Sequence, residues 1–289
     1  MHDDTFIQMS GTVQSGMSYV SMCFKELFNE YFGGHEMILV VGHKGEVGSA
    51  IFELCKKRLK CPVSGIDADG LQEFGRYELG CEHDKVDFMH VCLPWSKTFV
   101  DLVVEYARKH QPAAIIIHST VPVGTTTAIS NALADVDCGG VFHSPVRGTH
   151  PNMVRGLTSY VKFYAPASSV VGAHLEALGM KTYSCRSPED TELLKLMSTT
   201  YYGVLIAWAG EVKTMCDKNR TSWDDWESWV RTTNDFVPRP LLQSPEGYIG
   251  GHCVIPHAEI LDSQFSSAFA KEVLRWKESK GCNKEDAKW

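Results

Sequence analysis

The chain has 289 residues, of which 44% are hydrophobic and 22% charged, and its formal net charge at pH 7 is −7. This length and composition are typical of a globular protein with one large domain or two smaller ones. The negative charge argues against a nucleic-acid partner, and apolar runs such as residues 113–117 are far too short to cross a bilayer. We therefore expect a soluble cytoplasmic protein that binds a small molecule, with neither a nucleic-acid nor a membrane partner.

Cysteine usage favours a reducing compartment. The chain has ten cysteines and no C-x-x-C pair. No secretory signal is recognisable, so reduced thiols are a simpler interpretation than a disulfide framework.

Residues 1–36 form an N-terminal extension that precedes the first predicted strand. Apolar residues recur at roughly helical spacing over Tyr19–Phe32, which predicts an amphipathic helix. We expect this helix to pack on the outside of the first domain, with a partner or oligomer contact as the alternative.

The segment Met37–Cys55 predicts a strand, a tight turn and a helix. Its turn has the spacing G-x-x-G-x-x-G, one residue longer than the usual dinucleotide-binding fingerprint. Gly42 lets the chain turn off the strand, and the next two glycines remove Cβ atoms where a ligand or the sheet must come close. The free N–H groups at the helix start can face a pyrophosphate. The candidate cofactor-binding residues in this segment are Gly42, Gly45, Glu46, Val47 and Gly48.

The stretch Cys61–Asp67 predicts a second strand that ends in a carboxylate. An acid roughly 20 residues beyond a dinucleotide turn accepts hydrogen bonds from the adenosine ribose. The same charge at Asp67 repels the 2′-phosphate of NADP, so we expect NAD as the cofactor. A structural βαβ unit that binds nothing is the alternative.

The pattern then alternates between strands and helices up to residue 187. Strands are predicted over 86–93, 113–118, 135–142, 162–165 and 181–185, helices over 98–110 and 168–179, and a short helix with a loop over 69–85. We therefore expect an α/β dinucleotide-binding domain over residues 37–187, built on a Rossmann-type, doubly wound parallel sheet. Pro94, Trp95 and Thr120 follow predicted strands where ligands bind in such sheets.

Residues 188–289 predict a smaller all-helical domain for the substrate and for dimerisation. Ser187 is a good N-cap and Pro188 a good first residue for a helix that runs to about residue 217. Because this helix has two apolar faces, we expect it to form a homodimer interface through residues 188–217. Further helices are predicted over 224–232 and 263–280.

Two residues of this second domain are candidates for chemistry. Cys253 lies behind a double glycine and beside two histidines, a setting that favours a nucleophilic thiolate over a structural thiol. Lys195, near the start of the long helix, is either a solvated cation or a group that orients an oxyanion or acts as a base. His252, Cys253 and His257 lack a metal-ligand pattern, so we expect no metal.

Three separated segments together resemble the nucleotide-sugar 6-dehydrogenases, the UDP-glucose and GDP-mannose dehydrogenase family. They are STVPVGTT at 119–126, TELLKLMSTTYYGVLIAWAGEV at 191–212 and NDFVPRPLLQSPEGYIGGHC at 234–253. The GGHC form is similar to that of the UDP-N-acetyl-mannosamine branch. The resemblance spans residues 37–260.

The resemblance implies an NAD-dependent oxidoreductase that converts a primary alcohol of a sugar nucleotide, or of a smaller analogue, to a carboxylate by two hydride transfers. It implies that Cys253 forms a thiohemiacetal and then a thioester, that Lys195 stabilises the oxyanion, and that Thr120 holds water near the cofactor. The substrate-binding positions that it implies are Thr199, Arg239, Gly250 and Gly251.

Several features depart from the family pattern. Val146 replaces a glutamate, Thr199 an asparagine, and His257 the acid four residues after the nucleophile. His257 is therefore a catalytic candidate whose chemistry differs from that of the family. No counterpart of the family's third domain precedes Trp289, which predicts a truncated form without the C-terminal nucleotide-binding domain.

Two alternative functions remain open. The first is a two-electron dehydrogenase resembling the β-hydroxyacid group, in which Lys195 is the general base and no cysteine is needed. The second is a dinucleotide-binding protein that has no catalytic activity.

Overall fold

The computed structural model describes residues 37–59, 61–67, 70–74, 86–148, 152–234 and 253–279. The helix predicted within the N-terminal extension lies outside these ranges. So do three predicted substrate-binding residues, Arg239, Gly250 and Gly251.

The described chain divides into two compact units. The first contains the described residues up to Pro188, except for Thr120–Thr125. The second contains Thr120–Thr125 together with the described residues from Glu189 onward. The second unit therefore includes a short segment that lies within the sequence of the first.

A six-stranded sheet forms the centre of the first unit. Its strands are β1 (Ile38–Val41), β2 (Val63–Asp67), β3 (Gly70–Phe74), β4 (Phe88–Val91), β5 (Ala114–Ile117) and β6 (Val141–His143). Their order is β3-β2-β1-β4-β5-β6, and all neighbours are parallel except β2 and β3. The predicted doubly wound α/β fold is confirmed.

The remaining elements of this unit lie after the strands. The helices are α1 (Glu46–Arg58), α2 (Phe99–His110), α3 (Thr125–Ala132), α4 (Met153–Ser159) and α5 (Ser169–Ala177). Strands β7 (Val161–Tyr164) and β8 (Lys181–Ser184) pair in parallel as a separate two-stranded sheet. The start of α3, Thr125, belongs to the second unit.

The core of the first unit explains why its strands form. The residues of β1, β4 and β5 are all buried, as continuous apolar runs of parallel strands are when helices cover both faces of a sheet. Val146 is also buried in this core.

Within residues 69–85, for which a short helix and a loop are predicted, residues 70–74 instead form β3, which pairs antiparallel with β2. Residues 75–85 lie outside the described part of the chain. Asp67 pairs with Gly70 in the ladder between β2 and β3. The backbone groups on the outer edge of β2 need hydrogen-bond partners, and this pairing supplies them despite the polar local sequence.

The second unit is helical. Its helices are α6 (Pro188–Asn219), α7 (Trp223–Asn234), α8 (Val254–Phe265) and α9 (Ala268–Ser279). The single helix predicted over 263–280 is wrong in its start, because Ser266 has a φ of 50° and ends α8. Ser267 then accepts a hydrogen bond from the amide of Ala270 and begins α9.

Two glycines in α6 allow the later helices to approach closely. A Cβ at Gly203 would lie 2.6 Å from Cγ1 of Val254, and one at Gly210 would lie 2.5 Å from Cζ2 of Trp276. Within the described part of the chain, no helix has both the length and the hydropathy needed to cross a bilayer.

Candidate functional site

The glycine turn after β1 is built for close approach. Gly42 has a φ of 82°, and a Cβ there would lie 2.8 Å from the carbonyl oxygen of Cys92 on the neighbouring strand's loop. A Cβ at Gly48 would overlap the carbonyl oxygen of Gly42, so α1 can reach the turn only with glycine at that position. The amide of Gly45 donates to the carbonyl of Gly42 at 3.1 Å.

The start of α1 offers backbone donors to an anion. Its N-cap is Gly45, which has no side chain to bond the first N–H groups of the helix. Glu46 is exposed, and Val47 is partly buried against the core. Backbone donors at a helix start are the groups that bind a pyrophosphate in dinucleotide-binding folds.

Asp67 ends β2 and is held at the turn. Its Oδ2 accepts a hydrogen bond from the amide of Lys44 at 2.9 Å and lies 3.9 Å from Nδ1 of His43. The buried His43 ring lies against Gly65, where any Cβ would collide with it. A backbone amide of the turn thus orients the carboxylate that the sequence predicts at the ribose.

The loop after β4 starts at the same edge of the sheet, because β4 is parallel to β1. Pro94 and Trp95 are exposed on this loop, and the Trp95 ring lies 5.6 Å from that of Phe99. These are the predicted positions for residues that pass over a cofactor in a doubly wound fold.

Sequence reasoning missed a cluster of buried polar groups in this unit. His90 on β4 bonds through Nδ1 to Nε2 of His118 at 2.9 Å, and through Nε2 to Nε2 of His174 at 3.0 Å. Nζ of Lys162 lies 3.1 Å from Nδ1 of His118. All four side chains are buried. The only local signal is a histidine in the middle of an apolar strand.

Burial determines the protonation of this cluster. Burial, together with a smaller contribution from the nearby Lys162, lowers the pKa of His90 from 6.5 to about 3. Burial also holds the pKa values of His118 and His174 well below 6.5. It raises the pKa of the Cys92 thiol to about 12, against the effect of Lys162. The three imidazoles and this thiol are therefore neutral at pH 7.

In the second unit, two side chains fix the turn that follows Thr120. The carboxylate of Glu192, fully buried on α6, accepts a hydrogen bond from the amide of Gly124 at 2.7 Å. Gln264 on α8 accepts from the amide of Val123 at 2.8 Å and donates to its carbonyl at 3.0 Å. Sequence reasoning missed both, because each partner is distant along the chain.

One face of α6 carries the predicted chemistry. Glu192, Lys195, Thr199 and Gly203 follow one another at intervals of three or four residues, which places them on one side of a helix. The Thr199 hydroxyl donates to the carbonyl of Lys195 at 3.1 Å. Val254, which packs against Gly203, directly follows Cys253, so the start of α8 adjoins the same face.

Cys253 and His257 differ in exposure. Cys253 is the only exposed thiol among the cysteines of the described residues. The His257 side chain, one helical turn later, is buried beside the core of the second unit. The catalytic roles of both residues stay predictions.

No protein-family profile and no curated protein sequence matches the chain. Solved structures do match it. A UDP-D-ManNAc dehydrogenase from Pyrococcus horikoshii has a TM-score of 0.67 at 17% identity, over 84% of this chain and 68% of that one. A UDP-glucose dehydrogenase from Pyrobaculum islandicum has a TM-score of 0.66 at 17% identity, over 86% and 69%. The chain has the fold of these dehydrogenases.

A shorter protein matches along nearly all of its length. A 3-hydroxyisobutyrate dehydrogenase from Mycobacterium tuberculosis has a TM-score of 0.63 at 14% identity, over 85% of this chain and 94% of that one. At these identities the likeness establishes the fold, and function has to be argued from the side chains.

Proposed function

We propose that the protein is an oxidoreductase whose first unit binds a nicotinamide dinucleotide. The glycine turn carries this proposal, because Gly42 and Gly48 let β1, the turn and α1 pack closely, and Gly45 at the N-cap places no side chain over the first amides of α1. The amides at the start of α1 would hold the pyrophosphate, and Asp67 would accept hydrogen bonds from the adenosine ribose. When bound, the nicotinamide accepts a hydride from the alcohol carbon of the substrate.

We propose NAD as the preferred form. The Asp67 carboxylate is oriented by the amide of Lys44 at 2.9 Å, so a 2′-phosphate at the ribose would meet a fixed negative charge. The resemblance of three sequence segments to NAD-dependent nucleotide-sugar dehydrogenases also supports this choice.

Asp67→Asn tests the cofactor assignment. The amide side chain keeps an oxygen for the Lys44 N–H but removes the charge, so we expect the ratio of NAD to NADP affinity to fall by about tenfold or more. Isothermal titration calorimetry with both dinucleotides measures this ratio. Asp101→Asn, which changes an exposed acid in the first turn of α2, is the matched control. Failure of the wild-type protein to bind either dinucleotide would contradict the proposal.

For the reaction, we propose oxidation of a primary alcohol of a sugar nucleotide or a smaller analogue to a carboxylate. The alcohol carbon would lose a hydride to a first NAD while its hydroxyl loses a proton to solvent, and the Cys253 thiolate would then add to the aldehyde carbon. The Lys195 ammonium would stabilise the resulting alkoxide, and loss of the second hydride to a second NAD would give a thioester. Water positioned by Thr120 then cleaves the C–S bond, releases the carboxylate and returns the thiol.

Support for this chemistry comes from the second unit, which contains all three residues. Lys195 and Thr199 lie on the face of α6 that adjoins the start of α8, and Cys253 is exposed there. Glu192, on the same face, holds the turn that follows Thr120.

Variants measure the contribution of each group. We expect Cys253→Ser and Lys195→Met each to reduce NADH formation from a UDP-sugar by at least about 100-fold, as loss of a nucleophile or an oxyanion donor does. Absorbance at 340 nm follows the reaction, and four-electron oxidation gives two NADH per sugar. Cys138→Ser, a partly buried thiol in the first unit, is the control.

A two-electron dehydrogenase is the second candidate, favoured by the match to 94% of a 3-hydroxyisobutyrate dehydrogenase. In that case Lys195 is the general base and Cys253 has no role. One NADH per alcohol, with activity retained by Cys253→Ala and lost by Lys195→Met, would select it. NAD binding without oxidation of any alcohol would instead indicate a protein that binds the dinucleotide without catalysis.

We also propose that two copies of the chain associate through α6. Four apolar side chains, Leu194, Tyr201, Trp208 and Met215, recur every seven residues along this helix and are 42–54% exposed. Such a repeat forms a stripe along a helix that a second helix can cover. We call these four residues the α6 stripe.

A further inference from the structure

A buried lysine joins two segments at the carboxyl edge of the sheet. Lys162 on β7 is 3% exposed. Its Nζ donates to the carbonyl of Ser144 at 2.6 Å and to the carbonyl of Pro145 at 3.0 Å, just after β6. It lies 3.1 Å from Nδ1 of His118, just after β5. An ammonium has three hydrogens, and these three atoms can accept one each.

We propose that Lys162 is a positioning residue, a buried ammonium that fixes the segments after β5 and β6 and sets the direction of a hydrogen-bonded chain through His118, His90 and His174. Its functional consequence rests on the proposed dinucleotide binding. In a sheet of this order, β4, β5 and β6 form the half that receives the second mononucleotide of the cofactor, which here is the nicotinamide half.

The direction of the chain follows from the charge on Lys162. An ammonium has no lone pair, so in a hydrogen bond with it Nδ1 of His118 accepts, while the carbonyl of Ser144, 2.9 Å from the same nitrogen, accepts from Nζ at 2.6 Å. A neutral imidazole that accepts at Nδ1 carries its hydrogen on Nε2, and it donates to Nδ1 of His90. His90 then donates from Nε2 to Nε2 of His174, which keeps its own hydrogen on Nδ1.

A neutral amine would reverse every bond. His118 would then carry its hydrogen on Nδ1 and donate it to the lone pair of the amine or to the carbonyl of Ser144, which lies 2.9 Å from Nδ1. His118 would then accept at Nε2 from His90, and His90 would accept from His174. The tautomers of the three histidines therefore report the charge on Lys162.

The surroundings favour the ammonium. Its two carbonyl partners only accept, and bonds from a charged donor are about twice as strong as neutral ones. His143 on β6 directs Nε2 to the carbonyl of Ser119 at 3.0 Å.

The geometry differs from that of a metal site. The two ring nitrogens of His90 bond to two different histidines. The imidazole nitrogens therefore form a chain and do not converge on one point, as the ligands of a metal ion would. Among the described residues, no three His, Cys, Asp or Glu side chains form a cation site.

Other bonds show what the lysine positions. The amide of Ser144 donates to the carbonyl of Ile117 at the end of β5 at 2.8 Å, and its hydroxyl donates to the carbonyl of Phe163 at 2.9 Å. Ser144 therefore connects β5, β6 and β7. Lys162, which precedes Phe163 on β7, adds a further bond from β7 to the Ser144 carbonyl.

The primary test is a tautomer measurement by long-range ¹H–¹⁵N NMR on protein labelled with ¹⁵N-histidine. Single His→Gln variants assign the signals. We expect hydrogen on Nε2 of His118, Nε2 of His90 and Nδ1 of His174, each ring being neutral at pH 7. The opposite pattern, a mixture of patterns, or a doubly protonated ring among the three would overturn the proposal, and none of these results depends on cofactor binding.

Lys162→Met tests the causal step, because it keeps most of the side-chain length and removes the charge. We expect the three tautomers to reverse and the Kd for NAD to rise by about tenfold. Lys181→Met, on the neighbouring strand β8 and exposed, is the control and should change neither. Unchanged tautomers in Lys162→Met, or reversed tautomers with an unchanged Kd, would contradict the positioning role.

The two proposals fail in different ways. If the wild-type protein binds no dinucleotide, the proposed function fails while the tautomer pattern still decides the charge of Lys162. If Lys162→Met does not fold, the wild-type pattern alone supports or overturns the inference.

Discussion

Two glycines of the turn after β1 face different steric demands. A Cβ at Gly48 would overlap the carbonyl oxygen of Gly42, whereas one at Gly45 would lie 3.4 Å from the same atom, an ordinary contact. We expect Gly48→Ala to lower the free energy of unfolding by about 1–3 kcal/mol, because the backbone must shift. Gly45→Ala should change it by less than about 1 kcal/mol. Urea unfolding measures both, and equal losses would argue against the close approach of α1.

The buried histidines make stability depend on pH. Burial lowers the pKa of His90 from 6.5 to about 3, so the unfolded chain binds a proton that the folded chain does not. The stabilisation is complete above the unfolded pKa of 6.5 and is lost as the pH falls from there toward 3.

His90→Gln tests this dependence, because glutamine can both donate and accept a hydrogen bond but does not titrate. Between pH 6 and 4, we expect the unfolding free energy of the variant to fall less steeply than that of the wild type, by about 1.4 kcal/mol per pH unit. Urea titrations at several pH values measure both slopes. The titration of Asp and Glu side chains contributes equally to both proteins and therefore cancels in the difference between the slopes. Identical slopes would show that His90 is not held neutral. Among the described residues, His90 bonds to His118 and His174 and lies near Lys162, and His118 in turn lies near His143.

Single residues of the site could be predicted only where they lie close together in the sequence. The turn glycines are contiguous, and Asp67 follows them after one helix, so a local pattern suffices. The buried cluster joins residues 28, 84 and 44 positions apart. No local pattern predicts that His90 meets His174 or that Lys162 meets His118, because the sheet and α5 bring them together.

At the level of elements, α6 depends on small residues where the later helices cross it. Gly203 meets Val254 at a distance that no Cβ tolerates, 2.6 Å. We expect Gly203→Ala to destabilise the protein by about 1–2 kcal/mol, since the clash exceeds the gain in helix propensity. In a Val254→Ala background the same change should cost less than about 1 kcal/mol, because the nearest atom to the added Cβ is then Cγ1 of Val273, at 3.1 Å. Thermal unfolding of the four proteins measures this difference, and a destabilisation of equal size in both backgrounds would contradict the contact.

Elements buried on both faces were predictable because their apolar runs are continuous, as in β1 and β5. The errors occurred where a distant partner overrides a local preference. Strand β3 exists because β2 has an open edge, and its polar sequence gives no indication of this. The break between α8 and α9 is set by the left-handed backbone of Ser266, a conformation that serine rarely adopts.

For the whole molecule, the α6 stripe predicts self-association. Trp208→Lys places a charge in the centre of the stripe, so we expect the protein to become monomeric at micromolar concentration. Analytical ultracentrifugation measures the change. Trp229→Lys, the same substitution at a 73% exposed position on α7, should leave the dimer intact. A wild-type monomer, or dissociation by both variants, would argue against the stripe as the interface.

The turn that follows Thr120 is synthesised on the ribosome long before the residues that anchor it. Its two anchors, Glu192 and Gln264, lie 68 and 141 residues downstream of the amides that they hold. At about 5–20 residues per second, the second anchor emerges roughly 7–28 s after the turn. All six strands of the central sheet have been synthesised by His143, so the sheet can assemble while this turn is still unanchored. The nascent chain therefore completes its proposed dinucleotide platform well before the segment that carries Thr120 is fixed.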